Sequence, residues 1–185
     1  GHASYQITSA LELEGGLRYS HLRSTSNNRN STTIYGACTT PDRDNCTVLA
    51  SFPNPGKHSE NLLTGKIGLN WQITPDHFLY AFYARGGKQG GQVGAGATAG
   101  QSNTFASEKV NDFEAGIKST FLGGALRTQL GGFWMDYKDF QLSTINPRNG
   151  LSGIVNVGNA KVGGVEFGAQ GQIDALQIDT NFAYI

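Results

Sequence analysis

A two-residue alternation runs through most of this chain, and it limits the possible folds more than any other feature. In VNDFEAGIKSTFLGGALRTQLGGFWMDYKDFQL (Val110 to Leu142), Phe113, Ala115, Ile117 and Phe121 fall on one side, followed by Leu126, Leu130 and Trp134. Glu114, Lys118, Arg127 and Gln129 fall on the other. Successive side chains of a strand point to opposite faces, so this period means a sheet with one apolar face. That face is either the core of a soluble sheet or a surface turned to lipid.

The same pattern recurs along the chain. LELEGGLRYS sets Leu11, Leu13, Leu17 and Tyr19 against Glu12, Glu14 and Arg18. LTGKIGLNWQI sets Ile67, Leu69, Trp71 and Ile73 against Lys66, Asn70 and Gln72. In HFLYAFYARGG the apolar face is read as Phe78, Tyr80 and Phe82, with Ala81, Tyr83 and Arg85 opposite. VGGVEFGAQGQI sets Val165, Phe167, Ala169 and Ile173 against Glu166, Gln170 and Gln172, and LQIDTNFAYI sets Leu176, Ile178, Phe182 and Tyr184 against Gln177, Asp179 and Asn181. With the segment Ala3–Ile7, the pattern predicts about eight antiparallel strands.

The connections alternate in length. Short joints fall at Thr8–Ala10, Thr74–His77, Leu122–Gly124 and Asp174–Ala175; long ones fall near Leu22–Asn61, Gly86–Glu108 and Ser143–Val157. Long loops gathered at one end are unexpected in a compact soluble domain. They are the rule in an outer-membrane barrel, with short periplasmic turns and long extracellular loops. The charges assigned to the polar face balance: Glu12, Glu14, Glu114, Glu166 and Asp179 against Arg18, Lys66, Arg85, Lys118 and Arg127. Such a set suits the wall of a wet lumen. The expected fold class is all-β, an up-and-down transmembrane barrel, with an ordinary solvated sheet face as the other reading of the polar side.

Composition agrees. The net charge is zero, 15% of residues are charged and 10% aromatic, and glycine reaches 26 of 185 residues. No basic excess points to nucleic acid, and the aromatics argue against disorder. No apolar run approaches the ~18 residues of a spanning helix. Cys38 and Cys46 lack a zinc-site pattern and are expected to form a disulfide in an exposed loop.

Five stretches, taken together, resemble the barrel of TonB-dependent outer-membrane receptors: LELEGGLRYS (11–20), TGKIGLNWQITPDHFLYAFYARGGKQGG (64–91), EKVNDFEAGIKSTFLGGALRTQLGGFWMDYKDFQL (108–142), NVGNAKVGGVEFGAQGQI (156–173) and LQIDTNFAYI (176–185). Their order and spacing match the family over essentially the whole chain. The resemblance implies a bacterial outer-membrane location surrounded by lipid, and uptake of a large nutrient, a ferric siderophore first. It implies energy coupling through TonB by way of a plug domain. No stretch resembles that plug or the family's TonB box, and family barrels have many more strands. Residues 3–185 are therefore expected to be an internal barrel segment, without the plug and C-terminal strands. Gly1-His2 is expected to be a foreign scar.

No enzyme, resident metal or cofactor is expected. His2, His21, His58 and His77 show no metal-ligand spacing, although His21 and His58 flank the first long loop and could approach each other. GAGATAG (94–100) fits no phosphate-binding pattern, and no nucleophile elbow is present. For ligand binding at the mouth the candidates are Tyr83, Arg85, Lys88 and Tyr137. The cations would attract an anionic ferric chelate and the tyrosines would stack on it or hydrogen-bond to it. The competing reading pairs Arg85 with Glu114 as a cross-strand contact. A second function class remains: an adhesive or structural β-sheet module with long display loops.

Overall fold

The computed structural model describes residues 1–32, 50–93, 104–147, 150 and 152–185. Among them are β1 (His2–Gln6), β2 (Leu11–Thr32), β3 (Ala50–Thr74), β4 (His77–Lys88), β5 (Gly91–Gln92), β6 (Thr104–Phe105), β7 (Glu108–Phe121), β8 (Leu126–Lys138), β9 (Gln141–Ile145), β10 (Ser152–Asn156), β11 (Ala160–Ile173) and β12 (Leu176–Tyr184). Eight of them form one sheet in the order β1-β2-β3-β4-β7-β8-β11-β12, and every neighbouring pair is antiparallel. The small hairpins β5–β6 and β9–β10 interrupt the meander at one end only. His2 opens β1 opposite Gly16. Cys38, Cys46 and the GAGATAG stretch lie outside the described residues.

The short connections are built for tightness. Thr8 Oγ1 accepts the amides of Ala10 and Leu11 at 3.2 and 3.1 Å. Pro75-Asp76 joins β3 to β4, and the Asp76 carbonyl accepts the Thr120 amide at 2.8 Å, tying the turn to β7. Between β7 and β8, Gly123 and Gly124 take φ of 64° and 101°, a left-handed region that glycine enters without a Cβ clash.

Register converts alternation into two faces, since residues opposite each other in an antiparallel ladder share a face. One rung reads Leu11–Trp71–Leu79–Ile117–Leu130–Phe167–Phe182. The next reads Leu13–Leu69–Ala81–Ala115–Gly132–Val165–Tyr184, and the one beyond it Gly15–Ile67–Tyr83–Phe113–Trp134–Gly163. This face holds no charge over about nine residues of each strand, close to the ~9–11 that a tilted membrane strand needs. It is also bare. Leu62 is the one large buried hydrophobic side chain among the described residues, while Leu17, Phe113, Trp134 and Phe182 are half exposed or more. No second layer covers the sheet, so hydrocarbon is the medium that suits this face. Aromatic residues mark its borders, as in a membrane girdle: Trp71 and Phe121 near the short turns, Tyr83, Phe113 and Trp134 toward the long connections.

Two expectations are corrected. In β4 the lipid-facing set is Leu79, Ala81 and Tyr83, while Phe78, Tyr80 and Phe82 lie on the polar face opposite Lys118, Gly116 and Glu114. Both parities of β4 carry aromatics, so periodicity within the strand could not decide; the partner strands do. The first long loop is also shorter than expected, because β2 and β3 stay paired from Leu11↔Trp71 up to Thr32↔Ala50. The ribbon beyond Leu22 adds about 11 residues, or roughly 36 Å at ~3.3 Å each.

Two measurements check this architecture. In the protein reconstituted in a lipid bilayer, Ala81→Arg should destabilise the folded sheet by about 2–4 kcal/mol, as charges near the bilayer midplane do. Ala84→Arg, on the inner face opposite Lys66 and Asp112, should change it by under about 1 kcal/mol; equal effects in urea titration would refute the face assignment. Gly116→Ala places a Cβ 2.7 Å from both Leu130 O and Tyr80 Oη, and should cost about 1–3 kcal/mol of overpacking. Gly15→Ala, whose Cβ would meet Lys66 O at 3.8 Å, should be tolerated.

Candidate functional site

The polar face carries an aromatic line rather than isolated charges. Phe78, Tyr80 and Phe82 follow one another along β4 with ring centroids 6.5 Å apart at each step. Glycines make room for them: a Cβ at Gly131 would lie 3.3 Å from Tyr80 Oη, and one at Gly68 would lie 3.2 Å from Phe82 Cβ. Around the line the charges are paired. Lys66 Nζ is 2.7 Å from Glu14 Oε1 and 4.3 Å from the Phe82 ring centre. Lys118 Nζ lies 5.5 Å from the Tyr80 ring, and the Tyr80 hydroxyl donates to Glu114 Oε1 at 2.7 Å. Cations above ring faces and a tyrosine donating to a carboxylate make a wetted but self-satisfied wall. A cavity of about 700 Å³ lies against it at the short-turn end, bordered by Phe78, Lys118, Arg127 and Glu166.

At the other end, three connections are tied together by polar groups, of which Gln141 is buried. Gln141, only 6% exposed, donates its side-chain amide to Gln89 O at 3.0 Å and Ala106 O at 2.9 Å. Its backbone amide donates to Glu108 Oε2 at 2.7 Å. Asn156 donates to Asp139 O at 2.6 Å and Ala106 O at 3.1 Å, and accepts the Ala106 amide at 2.7 Å. Thus the β4–β7 connection is bound to the β8–β11 connection. Glu60, on the extended part of β3, binds the same region: it accepts the Gly90 amide at 2.9 Å and the Ser107 hydroxyl, and lies 3.5 Å from His58 Nε2. Burial works to raise the Glu60 pKa, but the Ser107, Gly90 and His58 contacts outweigh it and hold the carboxyl below its ordinary 4.5.

The four candidates from the sequence do not converge. Lys88 and Tyr137 lie on the inner face beneath the knot, Lys88 opposite Glu108 and Tyr137 edge-on to Phe140 with centroids 5.7 Å apart. The Tyr137 hydroxyl points to the Met135 thioether at 3.5 Å, a weak acceptor. Tyr83 and Arg85 lie on the outward face. Tyr83 packs on Phe113 at 4.9 Å and donates to Asn111 Oδ1 at 2.8 Å; Arg85 stands opposite Asn111, not Glu114. His21 and His58 do not approach each other, since His21 faces outward, 2.8 Å from Asn61 Oδ1, and His58 faces Glu60 on the inner side. Glu60, Ser107, Gln141 and Asn156 escaped sequence reasoning. They join segments up to about 50 residues apart, and no local spacing announces such contacts.

The family model described as TonB dependent receptor-like, beta-barrel, matches residues 1–185. The pesticin receptor of Yersinia enterocolitica is 24% identical over 168 residues, covering 90% of this chain and 22% of the receptor. The crystal structure of the ferric yersiniabactin uptake receptor from Yersinia pestis superposes with a TM-score of 0.72 at 24% identity, covering 98% of this chain and 25% of that one. The ferric-catecholate import receptor from E. coli K12 gives a TM-score of 0.61 at 24% identity, covering 96% and 26%. The chain therefore spans about a quarter or less of these relatives.

Because the Glu60 pKa is lowered by folding, its contribution is fully present above the ordinary carboxylate value and is lost as pH falls through the lowered one. Hydrogen-exchange protection of the Gly90 amide, corrected for intrinsic rate, should hold from pH 7 to about 5 and decline below about 4.5. Loss of protection on raising the pH would contradict the knot.

Proposed function

The chain belongs to the TonB-dependent receptor-like β-barrel family, and from that premise we propose that it forms part of the wall and mouth of a receptor importing a large nutrient, a ferric siderophore first. Its place is the bacterial outer membrane, the location of this family. The observation that carries the reading is the division of one sheet into a lipid face and a charged, aromatic inner face, with the longer connections hydrogen-bonded to one another at the mouth end.

The two ends of the inner face have different tasks. At the short-turn end Phe78, Lys118, Arg127 and Glu166 border the 700 Å³ cavity; this wall suits contact with a plug domain, through which TonB would act. At the mouth, Lys88 offers a cation and Tyr137 an aromatic edge with an underused hydroxyl. An anionic chelate with flat, electron-rich groups fits that pair better than a neutral sugar, because the charge attracts it and the ring stacks on it. Tyr83 and Arg85 have no part in ligand capture, since both face away from the lumen.

In the full-length receptor, Lys88→Gln and Tyr137→Ala should each weaken ferric-siderophore binding by about 5- to 30-fold, the ~1–2 kcal/mol of an interface anchor. Arg85→Gln should leave it unchanged. Equilibrium binding by tryptophan quenching checks this. Full affinity in the Lys88 and Tyr137 variants, or a loss in Arg85→Gln, would contradict the assignment.

A further inference from the structure

The inner face of β4 is paved as well as charged. Phe78, Tyr80 and Phe82 follow one another at 6.5 Å, the step of alternate residues on a strand, with ring planes only 24° and 17° apart. Tyr80 leans across the sheet rather than standing off it. A Cβ at Gly116, on the neighbouring strand β7, would meet Tyr80 Oη at 2.7 Å and its Cε1 at 2.8 Å. A Cβ at Gly131, one strand farther, would still meet Tyr80 Oη at 3.3 Å. Phe133 repeats the device over Gly164 of β11, where a Cβ would come 2.9 Å from the ring atoms Cε1 and Cζ. Glycine at these positions lets a ring lie over the backbone, one side against the sheet and the other toward the lumen.

The row has a direction. It starts below Lys88 at the mouth, past the small Gly86 and Ala84 on the same face, and ends at the cavity of about 700 Å³ that Phe78 borders. A cation stands at each station: Lys66 Nζ 4.3 Å from the Phe82 ring centre, Lys118 Nζ 5.5 Å from that of Tyr80, and Arg127 at the cavity. The two acids beside the row are engaged, Glu14 by Lys66 and Glu114 by the Tyr80 hydroxyl. Rings for stacking, with cations close by, are complementary to an aryl group that carries negative charge, such as a phenolate or catecholate. We propose that Phe82, Tyr80 and Phe78 form a transit surface, along which the aryl groups of a ferric chelate pass from the mouth to the short-turn end. The proposal rests on the nutrient reading and adds its substrate class, an aryl chelate rather than a ring-free hydroxamate. Packing against a plug asks only for apolar bulk at these positions; transit asks for ring faces.

The test compares uptake with binding, in cells whose route for ferric chelates is the full-length receptor. Radioactive ferric complexes of dihydroxybenzoate and of acetohydroxamate serve as the aryl and ring-free probes. The wild type should import the dihydroxybenzoate complex faster. Phe78→Leu/Phe82→Leu keeps apolar bulk and removes two ring faces. Its uptake of the aryl probe should fall about ten-fold, the order of two lost aromatic contacts, with equilibrium binding unchanged. Phe78→Tyr/Phe82→Tyr, which keeps the rings, should import at the wild-type rate. Wild-type uptake in the double Phe→Leu variant overturns the proposal and leaves the nutrient reading intact. Equal losses in the Phe→Leu and Phe→Tyr variants also overturn it, because shape alone then explains them. Faster import of the acetohydroxamate complex by the wild type, or import of neither probe, removes the substrate class and the proposal with it. The nutrient reading stands or falls separately, on binding at Lys88 and Tyr137. If the double Phe→Leu variant does not fold, Phe78→Leu alone and the wild-type preference between the two probes decide.

Discussion

Everything in this structure depends on one unbroken antiparallel ladder. In hydrocarbon an unpaired backbone amide or carbonyl costs several kcal/mol, so a chain can cross only as a helix or as strands that satisfy one another. Eight strands do this in sequence order, with each register fixed by a short turn at one end. Once register is fixed, every second residue is committed to lipid. The slip between Gln72 and Thr74 shows how tightly this is controlled, since one irregularity at the β3–β4 turn is absorbed before the pairing Gln72↔Phe78 begins.

The two faces solve different problems with the same residue types. Aromatics on the outside border the membrane. Phe78, Tyr80 and Phe82 on the inside fill the space above Gly68, Gly116 and Gly131 and hold Lys66 and Lys118 over their rings. The aromatic line thereby holds two cations and the Glu114 carboxylate in place along the inner wall. At the mouth the task differs, because loops with no core must hold a shape. Amide and carboxylate groups, led by the buried Gln141 and the half-buried Asn156 and Glu60, supply what apolar packing cannot.

Strand number, the lipid face of six strands and the segregation of long connections were legible from alternation and spacing, because a period of two survives without long-range information. The failures have a common physical origin. The face of β4 is set by pairing with Gln72, Asn70 and Lys118, and its own residues are aromatic on both sides. The outer half of β2 is mostly Ser, Thr and Asn, and that of β3 carries Pro53, Pro55 and Gly56, so neither shows a period of two and the paired ribbon reads as a loop. Arg85 was read as a ligand cation because its parity was misassigned with the rest of β4; register places it on the outward face opposite Asn111. The mouth knot is wholly non-local and left no trace in the sequence.

The direct test of the account is a nitroxide scan of residues 77–84 in the full-length receptor reconstituted in liposomes. Collision with oxygen reports lipid and collision with a water-soluble nickel chelate reports the lumen. Labels at 79, 81 and 83 should favour oxygen, and labels at 78, 80 and 82 should favour nickel or be shielded from both. The opposite phase, with 78, 80 and 82 in lipid, would contradict the register from which the two faces and the mouth assignment follow.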